Sequence, residues 1–346
     1  MKIYIKILIF TILLFPVLIV GYILHTFFVQ EPDTSNTPIT FVITKGTGVA
    51  SISSNLKKSG IIESDTLFKI YVLVFGLDKN FQPGDFYLTP GLNYKKLVEE
   101  LTKVRISEKS FTIIEGWKLK DIADGLIKAG WINNEDELYK LTGRPAYDYR
   151  GKNIQLENSW DYDFLASKPK GANLEGYIYP DTYKVLEEEG VEVLLTKALD
   201  NFDKKLTTEL RAEIEKRGES IYDILIIASI LEKEVNTFND RQIVSDIIRR
   251  RIKYNMPLQM DSTVNYFTNS GRARSTYGDL AVDSPWNTYK YAGLPLGTIS
   301  NPSILSIRAA IYPKANNYLY FLTDKSGNVY FASTGAEHQA NRKYLD

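Results

Sequence analysis

Ile221 to Val235 reads IYDILIIASILEKEV, and this stretch decides how the chain is read. Nine of its first eleven residues are apolar or small, and Glu232, Lys233 and Glu234 follow with no turn residue between. Good helix formers without Pro or Gly predict one helix, apolar on nearly every face and therefore buried. Glu234 falls four residues after Ile230 and three after Leu231, above those side chains on one face. Glu232 falls four after Ala228 and seven after Leu225. At least one carboxyl thus leaves a core helix at a half-buried end, where desolvation favours its protonated form. That is the state a general acid needs. The competing expectation is structural: both glutamates cap the helix end and pair with Lys233 or Arg241.

Composition narrows the chemistry. A chain of 346 residues suggests about two domains plus extras. Lys+Arg and Asp+Glu each total 42, so bulk charge gives no argument for nucleic acid as a partner. The absence of cysteine excludes disulfides, thiolate nucleophiles and Cys-ligated zinc. His25 and His338 are the only histidines, so a His-based metal site or a Ser-His-Asp triad would rest on His338 alone. Neither G-x-x-x-x-G-K-[ST] nor G-x-G-x-x-G occurs. No metal and no cofactor is expected, and the chemistry falls to carboxylates, amides, hydroxyls and aromatic rings.

Ile7 to Phe28 (ILIFTILLFPVLIVGYILHTFF) carries no charge apart from that available to His25. A bilayer core takes about 20 apolar residues, so this run is expected to span one. Lys2 and Lys6 precede it and Glu31 and Asp33 follow, which places the N-terminus in the cytoplasm and the rest beyond the cytoplasmic membrane. A cleaved signal peptide is the competing reading. Its apolar core would be shorter and end in an A-x-A-like site, which this run lacks.

Downstream, Glu31 to Pro38 is a polar linker, and then a repeat begins. Phe41–Ile62 (FVITKGTGVASISSNLKKSGII) and Phe111–Ile132 (FTIIEGWKLKDIADGLIKAGWI) align at an offset of 70 residues. Each copy predicts a short strand, a Gly turn, an amphipathic helix and a capping glycine, Gly60 or Gly130. Between them come a helix over 65–75, a strand over 84–88 and a helix over 93–103. This β-α-α-β-α order resembles glycan-binding LysM-like modules, with a generic spacer as the alternative.

Val191 to Arg217 is expected as one long charged helix. Arg241 to Tyr254 is expected as another, capped by Asn239 or Asp240. Arg249, Arg250 and Arg251 look like a phosphate-binding run but point three ways on a helix, so a solvated face is expected. Pro257–Phe267 (PLQMDSTVNYF) puts Gln259, Asp261 and Thr263 in a loop running into an apolar element. Ser284–Pro302 (SPWNTYKYAGLPLGTISNP) is a long irregular loop carrying Trp286, Asn287 and Tyr289, and such loops usually carry function. Tyr318–Leu322 and Asn328–Ala332 predict a hairpin, followed by a helical tail over 335–344.

Four stretches taken together, LEGYIYPDTY from Leu174, ASILEKE with Arg241, LQMDSTV from Leu258, and NTYKYAGLPLGTISNP from Asn287, resemble one family. It is that of the membrane-anchored endolytic murein transglycosylases of the YceG/MltG type. The resemblance covers nearly the whole chain and includes the apolar N-terminal run. It implies an α+β fold: cytoplasmic residues 1–6, transmembrane anchor 7–28, linker 29–38, LysM-like module 39–106 and mixed α+β catalytic domain 107–346. Carried over residue by residue, it implies that Glu234 is the essential acid. Gln259, Asp261, Thr263, Asn287 and Tyr289 would then bind the glycan. Glu232 and Arg241, with Glu175, Asp181 and Tyr183 in the EGYIYPDTY turn, would support the cleft. The chain departs from the family's L-Q-T-D-P-T at Met260 and Ser262, and from G-L-P-P-G at Leu296.

The reaction implied is cleavage of the β-1,4 bond between N-acetylmuramic acid and N-acetylglucosamine in peptidoglycan glycan strands. Most glycosidases need two carboxylates. A transglycosylase can work with one, because the sugar's own 6-hydroxyl attacks the anomeric carbon and closes a 1,6-anhydro ring. The resemblance also implies the peptidoglycan synthases as partners and a place in the cytoplasmic membrane of a bacterium. Two rival readings stand beside it: a glycan-binding scaffold without catalysis, and a hydrolase with Asp261 as base.

Overall fold

The computed structural model describes residues 14–32, 37–103, 108–157, 160–186, 189–272 and 275–345. The chain divides into two units, Met1–Ser107 and Glu108–Asp346.

In the first unit, residues 14–24 are helical and pass into a wider π-type turn at His25–Val29. Among the described residues no helix is long and apolar enough to cross a membrane. Residues 1–13, where the expected span begins, lie outside them. Thr26 and Phe27 are buried, with Phe27 in the core of the unit and Ile23 packed against it. The far end of the expected span is therefore part of a globular core. The expected linker is also partly fixed: Asn93 Nδ2 donates to Gln30 O at 3.0 Å, and Lys96 Nζ meets Glu31 Oε1 at 2.6 Å.

The module itself runs β1 (Ile39–Ile43), α1 (Val49–Lys58), α2 (Asp65–Val74), β2 (Gly84–Leu88) and α3 (Tyr94–Thr102). β1 and β2 pair antiparallel with Phe41 opposite Phe86. Alternation buries Phe41, Ile43, Phe86 and Leu88 on one face, against Ile52 and Leu56 of α1 and Leu97 and Leu101 of α3. Ser64 and Asn93 cap α2 and α3 by accepting from Leu67 N and Lys96 N.

The second unit opens on the second copy of the repeat: β3 (Glu108–Thr112), α4 (Leu119–Lys128) and α5 (Glu135–Thr142). Its closing strand, β4 (Thr182–Leu186), comes after a long irregular excursion and pairs antiparallel with β3, Phe111 opposite Tyr183. The repeat thus extends beyond the aligned residues, since both copies are β-α-α-β. Gly60 and Gly130 both sit at φ 71°, ending equivalent helices in a conformation that glycine adopts without steric cost.

The expected helix over 191–217 is two, α6 (Gly190–Lys205) and α7 (Thr208–Lys216), broken where Leu206 turns inward and is buried. Then come α8 (Ile221–Glu234) and α9 (Phe238–Lys253). The cap of α9 is Thr237, which accepts from Asp240 N at 3.1 Å, so this helix starts three residues earlier than expected. α10 (Asp261–Thr268) and α11 (Tyr277–Ala281) follow, then α12 (Ile304–Ile311). The hairpin of β5 (Tyr320–Thr323) and β6 (Val329–Ala332) leads into α13 (Gly335–Asn341). α8 is buried from Ile224 through Leu231 and contacts α7, α9, α10 and α12.

Three irregular segments meet at Asn301, which is buried. Its Oδ1 accepts from Gly176 N at 2.9 Å and Ile178 N at 3.0 Å. Its Nδ2 donates to Trp117 O at 3.0 Å and Glu175 Oε1 at 3.1 Å. One amide side chain thus satisfies groups from two distant loops that have no ladder of their own. Asn301→Ala strands the buried N–H groups of Gly176 and Ile178, while Trp117 O keeps the Asn301 backbone N–H and Glu175 Oε1 keeps Leu119 N. Each orphan costs about 1–3 kcal/mol, so the variant should lose at least about 2 kcal/mol in chemical denaturation.

Candidate active site

α8 ends in the wall of an open cleft of about 1100 Å³, lined among others by Lys233, Glu234, Gln259, Asp261, Ser262, Tyr289, Arg251 and Tyr320. The end of the helix is tightly held. Glu232 Oε1 accepts from Arg241 Nη2 at 3.1 Å, while Oε2 accepts from Ser303 N at 3.0 Å and Ser303 Oγ at 2.6 Å. Arg241, itself buried, also donates to Val235 O and Ser303 Oγ. The EKE triplet is thereby divided. Glu232 faces inward to a saturated ion pair, Lys233 Nζ donates to Gly116 O at 3.0 Å, and Glu234 faces the cleft.

Glu234 is half-buried, enclosed on most sides and open to the cleft. Desolvation pushes its carboxyl above the ordinary glutamate range, opposed by hydrogen bonds from Ser262 and reinforced by the nearby charge of Asp261. Ser262 Oγ donates to Glu234 Oε1 at 2.5 Å. The serine that replaces a proline of the family pattern is therefore the direct partner of the acid, a contact that its reading as a loop departure did not anticipate.

Asp261 is the first residue of α10 and not a loop residue. Its Oδ1 accepts from the Tyr289 hydroxyl at 2.9 Å, which fixes one carboxylate face. Gln259 is exposed to the cleft and its backbone is left-handed, φ 51°, a conformation worth note in a non-glycine residue beside a site. Gln259, Asp261 and Tyr289 are thus gathered around Glu234.

Thr263 and Asn287 are not in the cleft; both are buried. Thr263 Oγ1 bonds to Met260 O at 2.7 Å and Thr288 Oγ1 at 2.9 Å. Asn287 Nδ2 donates to Leu280 O and Val282 O, and its Oδ1 accepts from Tyr289 N. Thr263 ties α10 to the 284–302 loop, and Asn287 ties that loop to the end of α11, so the expected direct glycan contact is corrected to loop bracing. Trp286 is also buried and donates from Nε1 to Gly297 O.

The arginine run is not a solvated face. Arg251 is buried, donates to Leu319 O, Pro257 O and Leu258 O, and lies under the Tyr320 ring at 4.9 Å. Arg249 pairs with Glu219 at 2.8 Å and Arg250 with Asp246 at 2.9 Å. A three-residue count along a helix gives directions but not what packs there, so the role of Arg251 under the cleft could not be read from the run.

The EGYIYPDTY turn lies away from the cleft lining. Asp181 is exposed and accepts from Asn201 Nδ2 at 2.9 Å. Tyr183 is buried and donates to Tyr179 O at 2.6 Å. Glu175 is fully buried and accepts from Leu119 N at 2.9 Å, fastening the start of α4. Burial pushes its carboxyl up to about 8.

This is an α+β protein built around one acidic helix end in an open, aromatic-edged cleft. The family model described as the YceG-like family matches residues 41–344. The chain is 31% identical over 313 residues to the endolytic murein transglycosylase of Bacillus subtilis (strain 168), covering 90% of this chain and 86% of that protein. It is 28% identical over 326 residues to the endolytic murein transglycosylase of Streptococcus pneumoniae (strain D39), covering 88% of this chain and 57% of that protein. A crystal structure of a YceG-like protein from Listeria monocytogenes matches with a TM-score of 0.56 and 32% identity, over 89% of this chain and 100% of that one. The chain belongs to the YceG-like family.

Two stability measurements distinguish Glu232 from Glu175. Glu232→Ala leaves Arg241 as an unpaired buried charge and should cost about 3–5 kcal/mol in denaturant titration. For Glu175 the sign follows from its two ionisation points, 4.5 for an ordinary glutamate and about 8 in the fold. Between them the folded chain keeps a proton that the unfolded chain has lost. The stability this group contributes is complete below 4.5 and is lost as pH rises through about 8. Thermal melts should show Glu175→Gln gaining on the parent as pH rises through this window. Parallel pH curves for the two proteins would contradict the assignment.

Proposed function

We propose that this protein is a membrane-anchored endolytic murein transglycosylase. In this reading it cleaves the MurNAc-β-1,4-GlcNAc bond of glycan strands and leaves a 1,6-anhydro-MurNAc end, with Glu234 as the only general acid/base. The observation that carries the reading is the Glu234 carboxyl, desolvated yet open to the cleft and touched by the Ser262 hydroxyl at 2.5 Å. The similarity to the endolytic murein transglycosylases of Bacillus subtilis and Streptococcus pneumoniae supports the same class.

The protonated Glu234 gives its proton to the glycosidic oxygen as the C1–O bond breaks. The resulting carboxylate takes the proton of the muramyl 6-hydroxyl while that oxygen closes on C1. The enzyme ends with the proton count it began with, and no second carboxylate is required. Ser262 stabilises the carboxylate stage by donating to it, and a carboxylate–hydroxyl bond of this kind is charge-assisted. Gln259 presents an amide to the sugar acetamido groups. Asp261, oriented by Tyr289, raises the proton affinity of Glu234. The first unit acts as a LysM-like glycan contact, a reading supported by its β-α-α-β order. The uncharged run 7–28 anchors the chain with its N-terminus in the cytoplasm, and confines cleavage to strands near the membrane, where synthases would be its partners. The apolar side chains exposed along residues 14–24 support that anchor.

Mass spectrometry of peptidoglycan treated with the detergent-solubilised chain should show anhydro-muramyl ends. Glu234→Gln should lower their yield by at least about 10²-fold, the usual worth of acid–base catalysis. Reducing ends would instead favour a hydrolase with Asp261 as base, and binding without cleavage would favour a scaffold. Ser262→Ala removes a donor that stabilises the Glu234 carboxylate, so the proton should be held more tightly. The alkaline limb of the pH–rate profile should move to higher pH in that variant. An unmoved limb would show that Ser262 does not set the acid's proton affinity.

A further inference from the structure

One buried charge in the second unit has no counter-charge in the chain. Arg251 is 7% exposed, and among the described residues no carboxylate pairs with it. Its neighbours on α9, Arg249 and Arg250, pair with Glu219 and Asp246. A guanidinium donates from Nε, Nη1 and Nη2. Here Nε goes to Leu319 O at 2.6 Å, and Nη1 to Pro257 O at 3.2 Å and Leu258 O at 2.7 Å. Nη2 has no partner among the described residues, and Arg251 is part of the cleft lining. Desolvation pulls its pKa below the ordinary arginine value, and the groups that oppose this are tyrosines, Tyr320 and Tyr289, not carboxylates. Buried charges are ordinarily paired. A guanidinium held by neutral carbonyls, with one amino end open, is left to find its counter-charge in whatever enters the cleft.

Tyr320 joins this arginine to a histidine of the same cleft. Arg251 lies under the Tyr320 ring at 4.9 Å, and that ring stacks with His338 at 5.3 Å between centroids. His338 also lines the cleft, and its Nδ1 is buried without a hydrogen-bond partner. Desolvation, together with the positive charges of Arg251 and Arg342, pushes its pKa below the ordinary histidine value. The ring is therefore neutral near neutral pH. The corner adjoins the acid, because the charge of Arg251 and the carboxyl of Glu234 both act on the Tyr289 hydroxyl.

We infer that Arg251 and His338 form an anion subsite of the cleft, which takes a carboxylate carried by the glycan strand. The inference rests on the murein reading above and deepens it. A muramyl residue bears a lactyl ether whose acid end is a carboxylate on a peptide-free strand. With a stem peptide attached, that end is an amide and the stem carries carboxylates of its own. Nη2 donates to the carboxylate in a charge-assisted bond. Because Nη1 is held by Pro257 O and Leu258 O, the guanidinium offers one amino end and not a fork. His338 completes the site: neutral without the anion, it gains proton affinity once the negative charge is beside it. The two carbonyls that hold Nη1 lead directly into Gln259, so the anion contact and the Gln259 amide share one wall. The subsite thus selects which muramyl substituent accompanies the bond brought to Glu234.

His25 and His338 are the only histidines, so carbon-13 NMR of the full, histidine-labelled chain in detergent follows the His338 midpoint, with His25→Gln leaving one signal. The first probe is the GlcNAc–MurNAc disaccharide with its lactyl carboxylate, which lacks the bond proposed to be cleaved. The second is the same disaccharide with L-alanyl-D-isoglutamine on the lactyl group, and the third is diacetylchitobiose, which has no carboxylate. Saturation-transfer NMR records whether each probe binds. The expected result is a His338 midpoint raised by about 1 pH unit with a carboxylate probe and unmoved with chitobiose. A rise with the first probe assigns the lactyl carboxylate, and a rise with the second alone assigns a stem carboxylate; either supports the subsite. In a folded Arg251→Gln chain the preference for carboxylate probes over chitobiose should disappear, and its persistence would remove Arg251 from the site. Probes that bind while the midpoint stays still, or moves equally with chitobiose, would overturn the subsite and leave the glycan reading standing. Binding of no probe would overturn that reading, and the subsite with it.

Discussion

The inward pairing of Glu232 with Arg241 and Ser303 is the contact on which the cleft depends. It ties the end of α8 to α9 and to Ser303, the N-cap of α12, at positions with little solvent. Two residues later the same helix presents Glu234 to the cleft, so the orientation of the acid is inherited from its neighbour. A buried ion pair contributes little net stability once desolvation is counted, but breaking it is costly. Its value here is geometric: it leaves Glu234 as the carboxyl of the triplet that faces the cleft.

Two opposing influences then set the character of Glu234. Burial disfavours the charged form, while donation from Ser262 favours it. A carboxyl that only gives up a proton with difficulty could serve as an acid but not as the base that follows. In the proposed reaction, desolvation would supply the first role and the Ser262 hydroxyl the second. The surrounding loops have no sheet to stiffen them. Thr263 and Thr288, Asn287 and the carbonyls of Leu280 and Val282, and Asn301 below supply fixed hydrogen bonds in its place.

Much of this was legible in the sequence, for identifiable reasons. α8 could be read because a buried helix is apolar on every side, and the strand–turn–helix repeat because its two copies align at an offset of 70 residues, capping glycines included. The directions of the EKE side chains were open from composition, and the partners of Glu232 show it turned inward while Glu234 faces the cleft. What escaped was side-chain direction in short irregular segments. Thr263 and Asn287 are polar residues in functional-looking loops, and nothing in spacing tells a loop brace from a ligand contact. Arg251 looked like a surface charge because its three carbonyl partners lie outside α9, on segments whose path no local pattern records. Ser262 was visible as a substitution, yet its closeness to Glu234 depends on how α10 packs on α8.

Burial should let Glu234 hold a proton where ordinary glutamates have lost theirs. Carbon-13 NMR of chain labelled at glutamate carboxyls, titrated beside Glu234→Gln to assign the signal, measures this in the resting protein without substrate. The expected Glu234 midpoint lies clearly above the ordinary glutamate value of 4.5. A midpoint at or below that value would contradict it, and would leave the cleft without a group able to protonate a leaving oxygen near neutral pH.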